Sequence, residues 1–169
     1  MRGKMVLALA TAGVLWHGAA LAADQADKTF LTEAIQGNLA EIQVGKLAQQ
    51  KGETQNVRQF GQMLVTDHTN ANTKAESLAK NLDMTPPTEP NAKQKETYNK
   101  LSKASGTAFD REFARAMVND HKETIAKFRK EARGKGDVAD FAKNTLPTLE
   151  KHLHTAESLT ATGTTGSSH

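Results

Sequence analysis

The sequence predicts an all-α protein built as a bundle of four long helices, and three features of the 169-residue chain lead to that class. Apolar residues recur at steps of three and four in four separate stretches, which is the period of an amphipathic helix. Glycine or proline stands near the ends of these stretches, where helices commonly end. Two of the stretches also share a motif in which an apolar stripe runs into an Asp-His pair. We therefore expect a bundle with histidines in its core.

The first 23 residues have the character of a secretory signal peptide. Arg2 and Lys4 make a positive start, an apolar run follows over residues 5–16, and Ala-Leu-Ala at residues 20–22 offers a small-x-small cleavage pattern. The apolar run is too short to span a hydrocarbon core of ~30 Å, so no integral membrane span is expected once the signal is removed. We predict export to the periplasm, with association with the outer membrane left open.

Charge and cysteine content exclude several classes of function. Removal of Arg2 and Lys4 with the signal lowers the formal net charge from +3 by two. Lysine and glutamate are interspersed along the remaining chain, which is typical of a solvated surface and not of a nucleic-acid patch. The chain has no cysteine, so disulfides and thiol catalysis are excluded. No nucleic-acid partner is expected, and a protein partner or homo-oligomer stays undetermined.

Four amphipathic helices form the predicted bundle domain, residues 27–160. They span residues 27–50, 53–82, 107–133 and 137–160. Asp27 is the predicted N-cap of the first helix, and Gly52 lies where a helix-ending glycine belongs. Gly37 and Gly45 lie inside the first helix, eight residues apart and on one face. Because an interior glycine costs about 0.5–1 kcal/mol relative to alanine, we expect both to allow close approach of a neighbouring helix.

The connections between these helices are unequal in length. Residues 83–105 contain three prolines followed by a polar, lysine-rich stretch, which predicts a long link with at most one surface helix. Pro147 interrupts the fourth helix and predicts a kink near Asn144. Residues 161–169 are rich in Gly, Ser and Thr, so we predict a loose tail there.

Histidines occupy matching positions on the apolar seams. Residues 58–68 and 111–121 carry Arg, Phe, Val, Asp and His in the same register, so His68 and His121 each follow an apolar stripe. His152 lies on the seam of the fourth helix. Each of the three lies about 14 to 17 residues from its hairpin turn, a spread of only ~4.5 Å along the helix axes. The three imidazoles should therefore meet in one central layer.

Converging histidines and carboxylates in a bundle core are how helical metal sites are built. The predicted ligands are His68, His121, His152 and Glu41, the last on the first helix at a similar depth. Asp67 and Asp120, each beside a core histidine, are candidate outer partners of the rings. Imidazole nitrogen with carboxylate oxygen suits one ion of Zn, Fe, Mn or Cu, and the sequence does not choose among them.

A structural interpretation of the same residues stays open. A single histidine on an apolar stripe is usually a packed, hydrogen-bonded core residue. Three ionisable rings buried at one depth without a shared partner would, however, be costly. Both a metal site and a structural polar layer are therefore compatible with the spacing.

The sequence also contains separated blocks that are similar, in order, to those of a known family. They are residues 30–34 with 36–41, Val-Thr-Asp-His at 65–68, Met-Val-Asn-Asp-His at 117–121, and residues 145–152. Together they resemble a family of exported bacterial proteins, domain of unknown function 4142, whose members are often labelled predicted outer-membrane proteins. The resemblance covers nearly all of residues 28–160. It implies a ferritin-like four-helix bundle with the 83–105 link as a long crossover between helices 2 and 3, and it brings no established activity.

The chain departs from ferritin-like proteins that have di-metal centres. Those proteins carry a Glu-x-x-His motif on two helices, whereas here Val65 precedes His68 and Leu149 precedes His152 at that spacing. A conventional di-iron oxidase or iron store is therefore not expected. We predict a non-enzymatic bundle that binds one metal ion or supports envelope stress tolerance. A metal-dependent, peroxide-type oxidoreductase and a metal-free structural or partner-binding bundle stay open as alternatives.

Overall fold

The computed structural model describes residues 15–165, with side chains from 24 to 161, and consists of five helices. They are α1 Leu15–Lys51, α2 Gln55–Asn81, α3 Ala92–Lys103, α4 Gly106–Glu131 and α5 Asp137–Thr165. Most of the predicted signal peptide, residues 1–14, and the end of the predicted tail, residues 166–169, lie outside the described residues. None of the helices described is long and apolar enough to cross a membrane.

The four long helices form two hairpins joined by a crossover. Helices α1 and α2 pack together along their length, as do α4 and α5, and the hairpins meet through α2 and α5 and through α1 and α4. Helix α3, which belongs to the long link, packs against α1 and α4. The fold is thus the expected all-α, ferritin-like four-helix bundle, and the surface helix that the sequence allowed in the link is α3.

Polar caps fix where two of the helices begin. Thr54 caps α2 by accepting a hydrogen bond from the backbone N–H of Val57 at 3.4 Å. The Asp110 carboxylate of α4 accepts bonds from the backbone N–H and hydroxyl of Thr54, at 2.9 and 2.8 Å. Asn91 and Gln94 form a capping box at the start of α3. Such caps satisfy N–H groups that have no partner within the helix, so they define the starts of α2 and α3.

Two predicted helix ends are wrong. Helix α1 begins well before Asp27, which therefore lies inside the helix and is not its N-cap. The preceding residues, 19–26, include five alanines, the residue with the highest helix propensity, and they continue the helix toward the N-terminus. Helix α5 continues past the predicted end at residue 160 to Thr165, so part of the predicted loose tail is helical. Leu159 packs against the core there and supports the last turns.

Pro147 lies inside α5, which continues on both sides of it. A proline removes one intrahelical hydrogen bond, but the neighbouring turns are held by burial, since Ala142 and Leu149 are 0% and 2% exposed. Packing against the other helices therefore outweighs the loss of one backbone bond. The predicted kink near Asn144 stays a prediction.

A polar layer divides the apolar core into two clusters. One cluster contains Phe30, Leu31, Ile35, Phe128 and Phe141, and the other contains Phe60, Leu64, Phe109, Phe113 and Met117. The buried polar and charged side chains of the described residues are Asn38, Glu41, His68, Asn72, His121 and His152. On each of the four long helices these polar residues fall between one cluster and the other along the chain. The polar side chains are therefore concentrated at one level of the bundle.

Glycines allow α1 and α2 to approach closely at one point. A Cβ atom on Gly45 would lie 2.8 Å from the carbonyl oxygen of Gly61, and one on Gly61 would lie 2.6 Å from that of Gly45. The close approach predicted at Gly45 is confirmed, and its partner Gly61 was not predicted. The prediction for Gly37 is wrong, because its nearest neighbour would be the Gln94 side chain at 3.8 Å. Gly37 faces the crossover side of α1 and not α2.

Alanine substitutions at Gly45 and Gly37 should change stability in opposite directions. Gly45→Ala is expected to lower the free energy of unfolding by about 1–3 kcal/mol, because overpacking forces the backbones apart. Gly37→Ala should raise it by up to about 1 kcal/mol, since alanine favours the helix and meets no clash. Urea unfolding of the two variants beside the wild type measures both changes. Equal changes in the free energy of unfolding would contradict the conclusion that Gly45 is crowded by α2 and Gly37 is not.

Candidate metal centre

Three imidazole rings from three helices meet in the polar layer. His68 comes from α2, His121 from α4 and His152 from α5, and their ring centroids lie 5.3 to 5.9 Å apart. One nitrogen of each ring can be chosen so that all three lie within 4.8 Å of one another. The side chains are 5%, 1% and 0% exposed. The predicted convergence of the three rings is confirmed, and such a buried cluster could hold a metal ion.

Each ring has one nitrogen bonded to a protein oxygen. The pairs are His68 Nδ1 with Asn38 Oδ1 at 2.9 Å, His121 Nδ1 with the Met117 carbonyl oxygen at 2.9 Å, and His152 Nε2 with Asp67 Oδ2 at 2.8 Å. In a neutral imidazole one nitrogen is a donor and the other an acceptor. Because these partners are acceptors, the bonded nitrogen of each neutral ring carries the hydrogen. The lone pairs then belong to His68 Nε2, His121 Nε2 and His152 Nδ1.

The lone-pair nitrogens have no adequate hydrogen-bond partner among the described residues. His68 Nε2 is buried and makes no hydrogen bond to any part of the chain that the structure describes. His121 Nε2 and His152 Nδ1 are 3.3 Å apart, a distance at which two lone pairs repel unless a proton or a cation lies between them. Two imidazole nitrogens on a tetrahedral Zn²⁺ at 2.0–2.1 Å would be about 3.3 Å apart. The spacing thus fits a bound metal ion.

Burial keeps the three rings neutral at neutral pH. It lowers the pKa of His68 well below its ordinary value, with a further contribution from His121 and His152. Burial also lowers the pKa of His121 to about 4, against an opposing effect of Asp120. The pKa of His152 is lowered by burial as well, although the Asp67 carboxylate partly counteracts this. Neutral imidazole is the form that binds metals, so no deprotonation is needed before an ion is bound.

Glu41 lies beside the three histidines but on the other side of the His121 ring. Its Oε1 is 4.0 Å from His121 Nδ1, the nitrogen that is bonded to Met117. The Glu41 carboxyl instead lies beside that of Asp120, and burial and Asp120 together raise the Glu41 pKa well above its usual value. Helix α1 presents Asn38 to the rings, one turn before Glu41. The predicted ligand set is therefore split: three histidines form one group, and Glu41 joins Asp120 and His121 in a second.

Both aspartates lie beside a histidine ring of the cluster. Asp67 bonds the ring of His152 across the interface between α2 and α5, not the ring of its neighbour His68. Asp120 lies beside both its neighbour His121 and Glu41. Sequence reasoning missed Asn38 and the Met117 carbonyl as ring partners. Asn38 could have been found, because a polar residue on an apolar seam at the depth of the histidines has few other roles.

Acid should destabilise the metal-free protein, because the three histidine rings are buried in their neutral form. Unfolded histidines take up protons below about pH 6.5 while the buried rings do not, so the free energy of unfolding should fall as pH drops toward 4. His121 alone, with a folded pKa of about 4, accounts for about 3 kcal/mol. Glu41 has the opposite effect on the free energy of unfolding above about pH 4.5. In the folded protein it holds a proton that it has lost in the unfolded chain. Three rings act in one sense and one carboxyl in the other, so we expect a net loss of stability toward low pH.

Urea unfolding of chelator-treated protein at several pH values between 4 and 7 measures this dependence. Glu41→Gln should make the loss of stability toward low pH steeper, since it removes the opposing group. A free energy of unfolding of Glu41→Gln that does not vary between pH 4 and 7 would contradict the burial of neutral rings.

The fold and the cluster define a class of protein: a ferritin-like four-helix bundle whose core contains a buried three-histidine cluster. The family model described as Domain of unknown function (DUF4142) matches residues 13–159, and the chain belongs to that family. The resemblance found in the sequence blocks is thereby confirmed.

A solved structure is also similar to this chain. It is the crystal structure of a DUF305 fragment from Deinococcus radiodurans, which superposes with a TM-score of 0.72 over 80% of this chain and 95% of that chain. The two sequences are 13% identical, so the likeness shows the shared fold alone. No curated protein matches this chain in sequence.

Proposed function

We propose that this protein binds one transition-metal ion between His68, His121 and His152 after export to the periplasm. The observation that carries the proposal is the hydrogen bonding of the three rings. Each ring donates its N–H to a protein oxygen, and the other nitrogen of each ring keeps its lone pair. Histidines that bind metals almost always donate their second N–H to a carboxylate, a carbonyl or water. The cluster thus combines three ligand atoms with their supporting partners.

The donor set favours zinc, copper or iron over manganese among the four metals considered. Imidazole nitrogen suits Zn, Cu and Fe, whereas Mn prefers carboxylate and carbonyl oxygen. The Asp67 carboxylate bonds one of the rings, and the Glu41–Asp120 pair lies beside another. These acidic groups would offset the charge of a divalent ion in a buried site, where an uncompensated charge is costly.

The experiment for this proposal is elemental analysis and metal titration of protein purified without chelators or a polyhistidine tag. The expected result is one ion per wild-type chain, and none in His68→Ala, His121→Ala or His152→Ala. His154→Ala is the matched control, because this exposed histidine lies on α5 two residues from His152. A wild-type protein that neither contains nor takes up metal would overturn the proposal and favour a structural polar layer. Peroxide turnover by loaded protein would favour the oxidoreductase alternative.

Export is a separate part of the proposal and rests on the signal-like residues 1–23. Cell fractionation should find the protein in the periplasm, and N-terminal sequencing should show a chain that begins after Ala22 or Ala23. Recovery with outer-membrane fragments would support association with that membrane. A cytoplasmic protein that retains Met1 would overturn this part without affecting the metal centre.

A further inference from the structure

A cavity of about 280 Å³ lies between α1, α4 and the first half of α3. Its lining includes the exposed side chains of Lys93, Glu123 and Lys127 and also the buried ring of His68. At about 30 Å³ per water molecule it is large enough for several waters or for a hydrated ion. The cavity therefore brings solvent-accessible groups and one of the proposed metal ligands to the same space.

Three buried polar side chains in the cavity wall have an atom without a hydrogen-bond partner among the described residues. The atoms are Asn38 Nδ2, Glu41 Oε2 and His68 Nε2, in side chains that are 6%, 4% and 5% exposed. A buried polar atom without a partner costs about 1–3 kcal/mol. Two of the three, Glu41 Oε2 and His68 Nε2, can act as electron-pair donors to a cation. The inner wall of the cavity is thus suited to a positively charged guest.

The distribution of charge points to the same kind of guest. The lysines at the rim are neutralised by glutamates: Lys93 pairs with Glu123 at 3.0 Å, and Lys127 pairs with Glu33 at 2.9 Å and with Glu123 at 3.2 Å. The carboxyl groups of Glu41 and Asp120 also line the cavity. They lie beside each other, and no lysine or arginine among the described residues forms an ion pair with either. The acidic groups of the cavity that lack a basic partner therefore lie next to the histidine cluster.

We propose that this cavity is the route by which a divalent metal ion reaches the three-histidine centre, and that Glu41 and Asp120 form a first, weaker binding site on that route. The inference rests on the proposed function. Glu41, Asp120 and His121 each have an atom within 4.8 Å of the others, and His121 also belongs to the histidine group. Carboxylate oxygens suit a hydrated ion, whereas imidazole nitrogens favour a transition metal. An ion would pass from the carboxyl pair to the ligand that faces the cavity, His68.

The rate of Co²⁺ uptake by metal-free protein tests this route, because Co²⁺ bound to nitrogen ligands absorbs visible light and can be followed by stopped flow. The double variant Glu41→Gln/Asp120→Asn should reach the wild-type final absorbance about tenfold more slowly, because it removes the carboxyl pair that first binds the ion, and acidic clefts raise the association rates of cations by 10-fold or more. Its control is Asp140→Asn/Glu150→Gln, which removes two carboxyl groups from exposed residues outside the cavity lining. This control should bind Co²⁺ at the wild-type rate.

A second pair of variants tests the cavity without a change in charge. Gly37 lines the cavity, and a Cβ atom there meets only the Gln94 side chain at 3.8 Å. Gly37→Leu should therefore narrow the route and slow Co²⁺ uptake, whereas Gly37→Ala should not. If Gly37→Leu and the carboxyl double variant both take up Co²⁺ at the wild-type rate and reach the full final absorbance, the route is overturned. The histidine centre is then left intact. No Co²⁺ absorbance in the wild type would overturn the centre, and the route with it.

Discussion

Zinc should raise the unfolding temperature of the metal-free protein by roughly 10 °C at a 100- to 1,000-fold excess over its dissociation constant. A ligand that binds only the folded state adds about 2.7–4.1 kcal/mol to its stability at that excess. The site exists only in the folded chain, because its three ligands come from α2, α4 and α5. Binding free energy should therefore appear directly as folding stability.

This shift should disappear in His121→Leu. Leucine fills a similar volume in a position that is 1% exposed, so the metal-free variant should fold at least as stably as the wild type. Leucine has no lone pair for a metal. The variant therefore separates the effect of losing a ligand from the effect of losing packing. Differential scanning calorimetry with zinc, and again after addition of a chelator, measures the effect, with the exposed His154→Leu as the control. An equal zinc shift in His121→Leu would place the binding site elsewhere.

Asp67→Ala should weaken zinc binding by about 10- to 100-fold, the usual effect of removing an outer partner of a metal-binding histidine. The Asp67 carboxylate accepts a hydrogen bond from His152 Nε2 at 2.8 Å and thereby directs the Nδ1 lone pair toward the other rings. Without it, the ring of His152 is free to adopt the wrong tautomer or to turn. The ligand is still present, so binding should be weakened and not abolished.

Competition with a chromophoric chelator measures this change in affinity. Asp67→Asn keeps an acceptor oxygen without the charge, and its affinity should lie between those of Asp67→Ala and the wild type. Thr66→Ala, at the exposed neighbouring position on α2, should bind zinc as the wild type does. Wild-type affinity in Asp67→Ala would show that this hydrogen bond does not orient the ring for a metal.

The level at which the histidines meet could be predicted from the sequence because the rise of an α-helix is regular. Counting residues from the hairpin turns placed His68, His121 and His152 at one depth, and the rings do meet there. The helices themselves were found from apolar periodicity, since packing of the apolar faces determines the fold. The start of α1 was missed, because Asp27 resembled a cap while the alanine-rich residues before it continue the helix.

The rotation of each helix about its axis was harder to predict. Glu41 is at nearly the right depth, but the rotation of α1 presents Asn38 to the rings and turns Glu41 toward Asp120. Likewise, Asp67 was expected near a histidine, and its partner His152 lies 85 positions away on another helix. Such pairs depend on how the hairpins are offset and crossed, which spacing along one chain does not specify.

Anomalous diffraction from crystals of the metal-loaded protein, recorded at the absorption edge of the metal, tests the central claim most directly. We expect one strong peak in the bundle core, about 2.0–2.1 Å from His68 Nε2, His121 Nε2 and His152 Nδ1. A weaker peak beside Glu41 and Asp120 would agree with the proposed route. Loaded crystals with no peak among the three rings, and with metal only on surface carboxylates, would contradict the account.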